Sequence, residues 1–205
     1  MALARGFADP VHDAQGTFRT LMDALARPGR IGRLASDLSP PAPLTPELAA
    51  VALALTDADT PVWLDAPLAA NPAVAAFLRF HTGAPIVAEP ADAAFALIAD
   101  PAACPPFAAF AQGSPDYPDT SATLVLALDR LSEDGAAFKG PGIRGRIRLA
   151  AAPLPADWPA RLAANHAAFP RGLDLVLTAP GVVAGLPRSS RPVPSAAPSP
   201  VPSEA

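Results

Sequence analysis

The stretch Ala122-Thr123-Leu124-Val125-Leu126-Ala127-Leu128 is apolar except for one threonine, and it predicts a β-strand. A second run, residues 173–178, is apolar apart from Asp174 and Thr178. A strand with one face in water alternates apolar and polar residues, whereas a continuous apolar run indicates burial on both faces. The two runs therefore predict a sheet that is covered on each side.

Other segments of the chain add strands and helices to this sheet. Further strand candidates are residues 30–34, 61–64, 94–98, 144–149 and 182–186. Three helices begin with a capping residue followed by proline, at Asp9-Pro10, Thr45-Pro46 and Asn71-Pro72. The first helix ends before Pro28-Gly29, and the second spans 47–55 and should be buried. The third runs to about His81 and ends at Gly83. A fourth helix is predicted over residues 155–168.

The first helix carries apolar residues at helical spacing, which predicts the face that packs on the core. These residues are Val11, Ala14, Phe18, Leu21, Met22 and Leu25, and the opposite face shows His12, Asp13, Gln15, Arg19 and Asp23. Helices that alternate with strands early in the chain, followed by hairpin-like strands, predict an α/β fold with a mixed sheet flanked by helices. Residues 1–190 form one domain in this interpretation. Residues 191–205, which are mostly Pro, Ser and Ala, form a disordered tail.

Composition excludes several classes of function. The net charge of −4 argues against a broad nucleic-acid-binding surface. No apolar run reaches membrane-spanning length, and the N-terminus lacks a secretory signal, so we expect a cytoplasmic protein. Cys104 is the only cysteine, which excludes an internal disulfide and a cysteine-built metal site.

Five short motifs are spread along the chain, and all but the fourth join a Pro or Gly to a charged or aromatic residue. They are Asp9-Pro10-Val11-His12-Asp13-Ala14-Gln15 with Phe18-Arg19, Asp57-Ala58-Asp59-Thr60-Pro61-Val62-Trp63-Leu64, Arg79-Phe80-His81-Thr82-Gly83, Gly140-Pro141-Gly142-Ile143 and Phe169-Pro170-Arg171-Gly172-Leu173-Asp174. In this order, and with Leu186-Pro187-Arg188 after them, they resemble the PhnH family of the bacterial carbon–phosphorus lyase system, which degrades organophosphonates.

This resemblance implies a fold like that of the pyridoxal-phosphate-dependent transferases but without the cofactor. It also implies a homodimer that joins PhnG-, PhnI- and PhnJ-type subunits in a core complex. That complex couples an alkylphosphonate to C1 of the ribose of a nucleoside triphosphate and displaces the base, giving a ribose 1-phosphonate 5-triphosphate. The family offers no established catalytic residue to transfer to this chain.

The cofactor expectation can be examined in the sequence, because a pyridoxal phosphate enzyme needs a lysine for its Schiff base. Lys139 is the only lysine, and nothing around it resembles the rest of such a site. A solvated loop lysine is the simpler interpretation. A true pyridoxal phosphate enzyme would show a visible absorbance band that disappears in Lys139→Ala.

Arginines and histidines supply the candidate ligand-binding residues, since guanidinium groups bind phosphate in a bidentate manner. Arg79 and His81 could bind phosphate together, or they could stabilise the end of their helix as cations. Arg144 follows a Gly140-Pro141-Gly142 turn that could bind an anion or could be an ordinary hairpin turn. Arg19 and Arg188 complete the predicted set.

Two aspartates and the remaining histidine have structural alternatives as well. Asp57 and Asp59 could hold Mg²⁺ on a triphosphate, or they could form a turn. His166 should stabilise the end of the fourth helix, and the three histidines show no metal-binding spacing. Arg144, Arg146 and Arg148 would share one face of a strand, where they could simply protect a sheet edge.

Two hypotheses of function follow. In the first, the chain is a subunit that takes part in forming the ribosyl triphosphate, with Arg79 and His81 facing the ligand. In the second, it is a scaffold without chemistry of its own, since the sequence shows no paired nucleophile and base. Nucleotide binding by the isolated chain would separate the two.

Overall fold

The computed structural model describes residues 3–193. The elements of this part of the chain, in order, are α1 (Pro10–Ala26), β1 (Gly32–Arg33), α2 (Pro46–Leu55), β2 (Val62–Leu64), α3 (Ala66–Ala69), α4 (Pro72–Thr82), β3 (Ile86–Val87), β4 (Phe95–Ile98), β5 (Thr123–Ala127), β6 (Arg130–Lys139), β7 (Ile147–Ala152), α5 (Trp158–Ala167), β8 (Asp174–Ala179), β9 (Val182–Leu186) and β10 (Arg191–Val193). Short 3-10 turns connect several of them.

Seven strands form the central sheet, in the order β1-β9-β8-β5-β4-β2-β3. The strands from β3 across to β8 pair in parallel, whereas β9 is antiparallel to β8 and β1 is antiparallel to β9. A second, antiparallel sheet has the order β10-β6-β7. The prediction of an α/β fold with a mixed sheet is confirmed.

The central sheet is covered on both faces, as the continuous apolar runs predicted. Along β5, Val125 packs with α1, α2 and α4 on one face, while its neighbours Leu124 and Leu126 pack with α5 and the small sheet on the other. All three side chains are inaccessible to solvent. Because side chains alternate along a strand, one apolar run supplies two cores.

The three predicted helix starts are confirmed, each with its capping hydrogen bond. Asp9 accepts from the amides of Val11 and His12, Thr45 from Leu48, and Asn71 from Ala73. A proline occupies the first turn in each case. The third helix ends as predicted at Gly83, which has φ +76°. The fourth helix is shorter than predicted, since α5 spans Trp158–Ala167.

The predicted core-facing stripe of α1 is wrong in part. Leu21 is buried, but Val11, Phe18 and Met22 are 60%, 46% and 49% exposed. The docked face is instead centred on small residues, because α1 lies so close to β9 that a Cβ on Gly185 would stand 2.7 Å from the carbonyl oxygen of Ala24. Three large apolar side chains therefore remain on the outside of the helix.

The strand predicted at residues 144–149 begins later, because β7 spans Ile147–Ala152. Arg144 and Arg146 lie in the turn before it, so only Arg148 of the three arginines is in the strand. The longest strand, β6, was not predicted, since its polar sequence and Gly135 lack an apolar pattern. Its partners β7 and β10 hold it in the small sheet.

The predicted start of the tail at residue 191 is also wrong, because Arg191–Val193 form β10 and pair with β6. The remaining residues of the predicted tail, 194–205, lie outside the described residues. Among residues 3–193, no helix is both long enough and apolar enough to cross a membrane.

Candidate functional site

A cleft of about 1420 Å³ opens on the helical side of the molecule. The N-terminal segment 3–8, one side of α1, the loop 33–39 and the end of α4 form its walls. A cleft of this size can hold a nucleotide-sized ligand, since most small-molecule sites occupy roughly 300–1,000 Å³. It is therefore the first place to look for a ligand-binding function.

Two arginines and two aspartates supply the charged groups of the cleft. Arg5 and Arg33 both line it, and neither forms an ion pair with another described residue. Of the acidic groups in the wall, Asp13 already accepts a hydrogen bond from the amide of Asp9 at 2.9 Å, while Asp37 is exposed in the loop. Two free guanidinium groups in a concave wall can bind phosphate or phosphonate oxygens.

His12 and His81 add titratable groups to the same cleft. The Nδ1 of His12 lies 2.8 Å from the carboxylate of Asp9, and the pair is exposed. Hydrogen bonds from His12, first from its backbone and then from its side chain, lower the pKa of Asp9. The contact with Asp9 orients His12 at the start of α1 without burying it.

His81 holds the N-terminal segment in place. Its Nε2 lies 3.0 Å from the carbonyl oxygen of Ala4, which can only accept, so Nε2 carries the hydrogen. The ring packs on Phe77 with a centroid distance of 4.6 Å, and a Cβ on Gly6 would stand 2.8 Å from Nδ1. Only glycine lets the segment pass this close to the ring, so Gly6 and His81 together shape one wall of the cleft.

The structure does not bring the predicted ligand-binding residues together. His81 lines the cleft, whereas Arg79 is exposed on α4 and does not line it. Residues two apart on a helix point about 200° apart, so the two side chains diverge. Arg19 lines a separate groove of about 430 Å³ between α1 and α2, together with Phe18.

Arg188 is engaged in the fold. Its guanidinium contacts both carboxylate oxygens of Asp174, at 2.6 and 3.2 Å, and donates to the carbonyl oxygen of Pro118 at 2.5 Å. The Arg188 side chain is 14% exposed. Its nitrogens thus tie the chain after β9 to the beginning of β8 and to the loop before β5.

The turn before Arg144 is a hairpin turn between β6 and β7, with Gly140 at φ +153° and Gly142 at φ +77°. Gly142 packs against the end of α1, beside Ala26 and Pro28. Arg144 itself is exposed. The geometry supports the turn interpretation of this motif.

The Asp57 motif also forms a turn. The carboxylate of Asp57 accepts from the amide of Asp59 at 3.0 Å and from the hydroxyl of Thr60 at 2.6 Å. The Thr60 hydrogen bond is the main reason why the pKa of Asp57 lies below its usual value. Within the described part of the chain, no group of three or more His, Cys, Asp or Glu residues is placed to hold a metal ion.

Asp65 follows β2 at the carboxyl edge of the parallel strands, where α/β proteins commonly bind ligands. Its buried carboxylate accepts from the amides of Ala99 at 2.7 Å and Asp100 at 2.8 Å, and it caps α3 through Leu68. Burial raises its pKa, against the opposing effect of these hydrogen bonds. The carboxylate therefore ties β2 to β4 and is unavailable to a ligand.

Sequence reasoning missed Arg5 and Arg33. Neither belongs to a motif with proline or glycine at a fixed spacing, and 27 intervening residues fold into α1 and the turn after it. Arg5 lies immediately before Gly6-Phe7, ahead of the first motif, and no signal in the sequence pointed to Arg33. Their proximity to one cleft is a product of the tertiary fold.

Fold and cleft together define an α/β protein with a helical-side cleft in which two arginines form no ion pair among the described residues. The family model described as "Bacterial phosphonate metabolism protein (PhnH)" matches residues 5–192. A relative from Rhizobium meliloti (strain 1021), the alpha-D-ribose 1-methylphosphonate 5-triphosphate synthase subunit PhnH, is 47% identical over 187 residues. The alignment covers 90% of this chain and 92% of the relative. This chain belongs to the PhnH family.

Proposed function

We propose that the chain is a subunit of a synthase that forms ribose 1-phosphonate 5-triphosphate in organophosphonate catabolism. The observation that carries this proposal is the 47% identity to the Rhizobium meliloti synthase subunit across nearly the full length of both chains. In the reaction, an oxygen of the alkylphosphonate forms a bond to C1 of the ribose of a nucleoside triphosphate. The bond from C1 to the base breaks, and the base leaves.

The proposed assembly is a cytoplasmic homodimer that joins PhnG-, PhnI- and PhnJ-type subunits and binds neither nucleic acid nor membrane. The family resemblance supports the partners. The excess of acidic over basic residues, 19 against 15, supports the exclusion of nucleic acid.

The proposed ligand site is the cleft, because both substrates are anions and the cleft carries two free arginines. Arg5 and Arg33 would bind phosphate or phosphonate oxygens, with His81 fixing the wall beside them. The chain would take no pyridoxal phosphate, and Mg²⁺ would arrive with the nucleoside triphosphate. Arg79, Arg19 and Arg144 are exposed and stay candidates for contacts with the ligand or with another subunit. Arg188 would reach a ligand only by leaving Asp174.

A scaffold without chemistry of its own is the second candidate, and one observation favours it. Val11, Phe18 and Met22 form an exposed apolar stripe along α1. Such stripes on the surface of a folded chain are typical of protein–protein contact.

We further propose that the fold resembles that of the pyridoxal-phosphate-dependent transferases. A crystal structure of this chain, compared with those enzymes, would test the resemblance.

The test of the proposed function is co-expression with the PhnG-, PhnI- and PhnJ-type subunits and purification through a tag on this chain. We expect a stable complex that forms the ribosyl triphosphate. A chain that elutes alone, from cells that contain all four subunits, would refute the proposal.

Variants of the complex then separate catalysis from scaffolding. We expect the double variant Arg5→Ala/Arg33→Ala to assemble normally but to support little phosphonate-dependent growth. Arg79→Ala, measured in the same way, tests the ligand-binding role that the sequence predicted for Arg79. Arg171→Ala, an exposed loop arginine away from the cleft, is the matched control. Full growth of the double variant would favour the scaffold.

A further inference from the structure

The small sheet presents basic side chains on its outer face. In its register, Arg148 of β7 lies opposite Ala137 of β6, and Lys139 of β6 lies opposite Arg191 of β10. Side chains that lie opposite one another, or two residues apart on a strand, share a face. Arg148, Lys139 and Arg191 therefore point to the same side of the sheet.

The other side of the small sheet faces the core. Phe138 and Leu149 are 3% and 4% exposed and pack in the second hydrophobic cluster. Continuing the β6–β7 register by one residue places Arg146 beside Lys139 on the outer side, and Arg144 is exposed in the same hairpin. We call this surface the cationic face; it consists of Lys139, Arg144, Arg146, Arg148 and Arg191.

These cations are almost uncompensated within the described residues. The ion pairs in residues 3–193 involve other basic groups. Arg148 is the last of the groups that lower the pKa of Asp134, after the hydrogen bond from Ser132 and after Arg130. Arg148 also donates to the carbonyl oxygen of Gly135 at 3.2 Å.

Protection of a sheet edge does not account for this arrangement. Charges of either sign protect an edge strand, and mixed signs keep a surface soluble. Here the charged residues that the register places on the outer face, Arg148, Lys139 and Arg191, are basic in a chain of net charge −4, and Lys139 lies on the central strand, which has no edge to protect. A surface of one sign on an acidic chain indicates electrostatic complementarity to a partner.

The shape of the surface favours a protein over a small ligand. Small molecules bind in concave pockets, whereas extended surfaces bind macromolecules. None of the five residues lines the cleft or the groove, both of which lie beside α1. The segment 194–205 is a poor occupant, because its single acidic residue is Glu204.

We propose that the cationic face docks on an acidic protein surface, a carboxylate-rich face of another subunit of the synthase. This inference rests on the proposed function, which supplies the assembly. Arginine is suited to this role because its planar fork pairs with carboxylates in a bidentate manner. The contact steers association and sets its salt dependence.

The experiment compares Arg146→Glu with Arg171→Glu, since both residues are exposed, lie in loops and form no ion pair among the described residues. Each variant of the full chain is co-expressed with the PhnG-, PhnI- and PhnJ-type subunits. In a separate measurement, the affinity of each purified variant for the purified partner subunits is determined over a series of salt concentrations. We expect Arg146→Glu to bind about tenfold more weakly at low salt and with a flatter salt dependence, whereas Arg171→Glu binds like the wild type.

The outcomes separate this inference from the proposed function. A wild-type chain that does not assemble refutes the proposed function itself. If the wild type assembles and Arg146→Glu binds equally well at every salt concentration, the docking inference is overturned. It is also overturned if Arg146→Glu loses binding to duplex DNA or to a nucleoside triphosphate while assembly stays intact. Circular dichroism of the variant confirms that it is folded.

Discussion

Arg188 and Arg79 are both arginines of the predicted ligand set, yet their surroundings differ. Arg188 contacts Asp174 and the carbonyl oxygen of Pro118, whereas no hydrogen bond or ion pair within residues 3–193 involves the Arg79 side chain. We expect Arg188→Ala to lower the free energy of unfolding by about 2–4 kcal/mol, because the partly buried Asp174 would lose its partner.

Urea denaturation of Arg188→Ala and Arg79→Ala measures this difference. Arg79→Ala should change the free energy of unfolding by about 0.5 kcal/mol or less, since its side chain is exposed. Equal stability of the two variants would show that Arg188 is free for a ligand.

Cys104 provides a prediction with a defined pH range. Burial is the main cause that raises the pKa of its thiol from 9.0 to about 11. Because the folded state favours the protonated thiol, the buried Cys104 thiol stabilises the fold below pH 9. This stabilisation is lost as the pH rises toward 11. At about pH 8 we therefore expect iodoacetamide to label the folded chain slowly and the urea-unfolded chain rapidly, with the thiolate as the nucleophile. Mass spectrometry measures the rate of labelling in each state. Equal rates in the folded and unfolded chain would contradict the burial of Cys104.

The β6–β7 hairpin contains two glycines with nearly equal φ angles, Gly142 at +77° and Gly145 at +76°. A Cβ on Gly142 would overlap the carbonyl oxygen of Ala26, whereas a Cβ on Gly145 has open space around it. We expect Gly145→Ala to cost about 1 kcal/mol for the backbone conformation alone, and Gly142→Ala to cost clearly more. Thermal unfolding of both variants measures the difference, and equal costs would mean that the hairpin does not pack on α1.

The orientation of α1 can be tested in the same way. Leu21→Ala should lower the free energy of unfolding by about 2–5 kcal/mol, because the side chain is 1% exposed. Phe18→Ser should cost about 1 kcal/mol or less, since Phe18 is partly exposed. Denaturant unfolding of the isolated chain gives both values, and a larger loss for Phe18→Ser would place Phe18 in an interface or in the core.

At the scale of the whole molecule, Lys139 decides whether this fold could use pyridoxal phosphate. Lys139 lies on the outer face of the small sheet opposite Arg191 and does not line the cleft. A Schiff-base lysine needs a pocket that also holds the ring and the phosphate. Added pyridoxal phosphate should therefore give the same absorbance spectrum with the wild type and with Lys139→Ala. A visible band that only the wild type shows would establish a cofactor site.

The layered architecture was predictable because its signals are local. The caps at Asp9, Thr45 and Asn71 and the apolar runs of β5 and β8 act through neighbouring residues, so they are legible in one segment at a time. The strand β6 was not predictable in this way, since its polar residues gain their partners only when β7 and β10 align beside them. The burial of Leu21 and the exposure of Phe18 likewise depend on how closely α1 approaches Gly185.

The fold class, the three capped helices, the buried strands and, through motifs in a fixed order, the family could all be inferred from the residues alone. Local hydrogen bonds and burial patterns carry that information within a few residues. Which arginines share a surface depends on how the chain folds. Folding placed Arg5 and Arg33 in one cleft, engaged Arg188 with Asp174 and gathered Arg146 and Arg191 on the cationic face. The physical reason is that a charged group takes its role from neighbours that chain folding brings near it, and spacing along the sequence does not encode those distances.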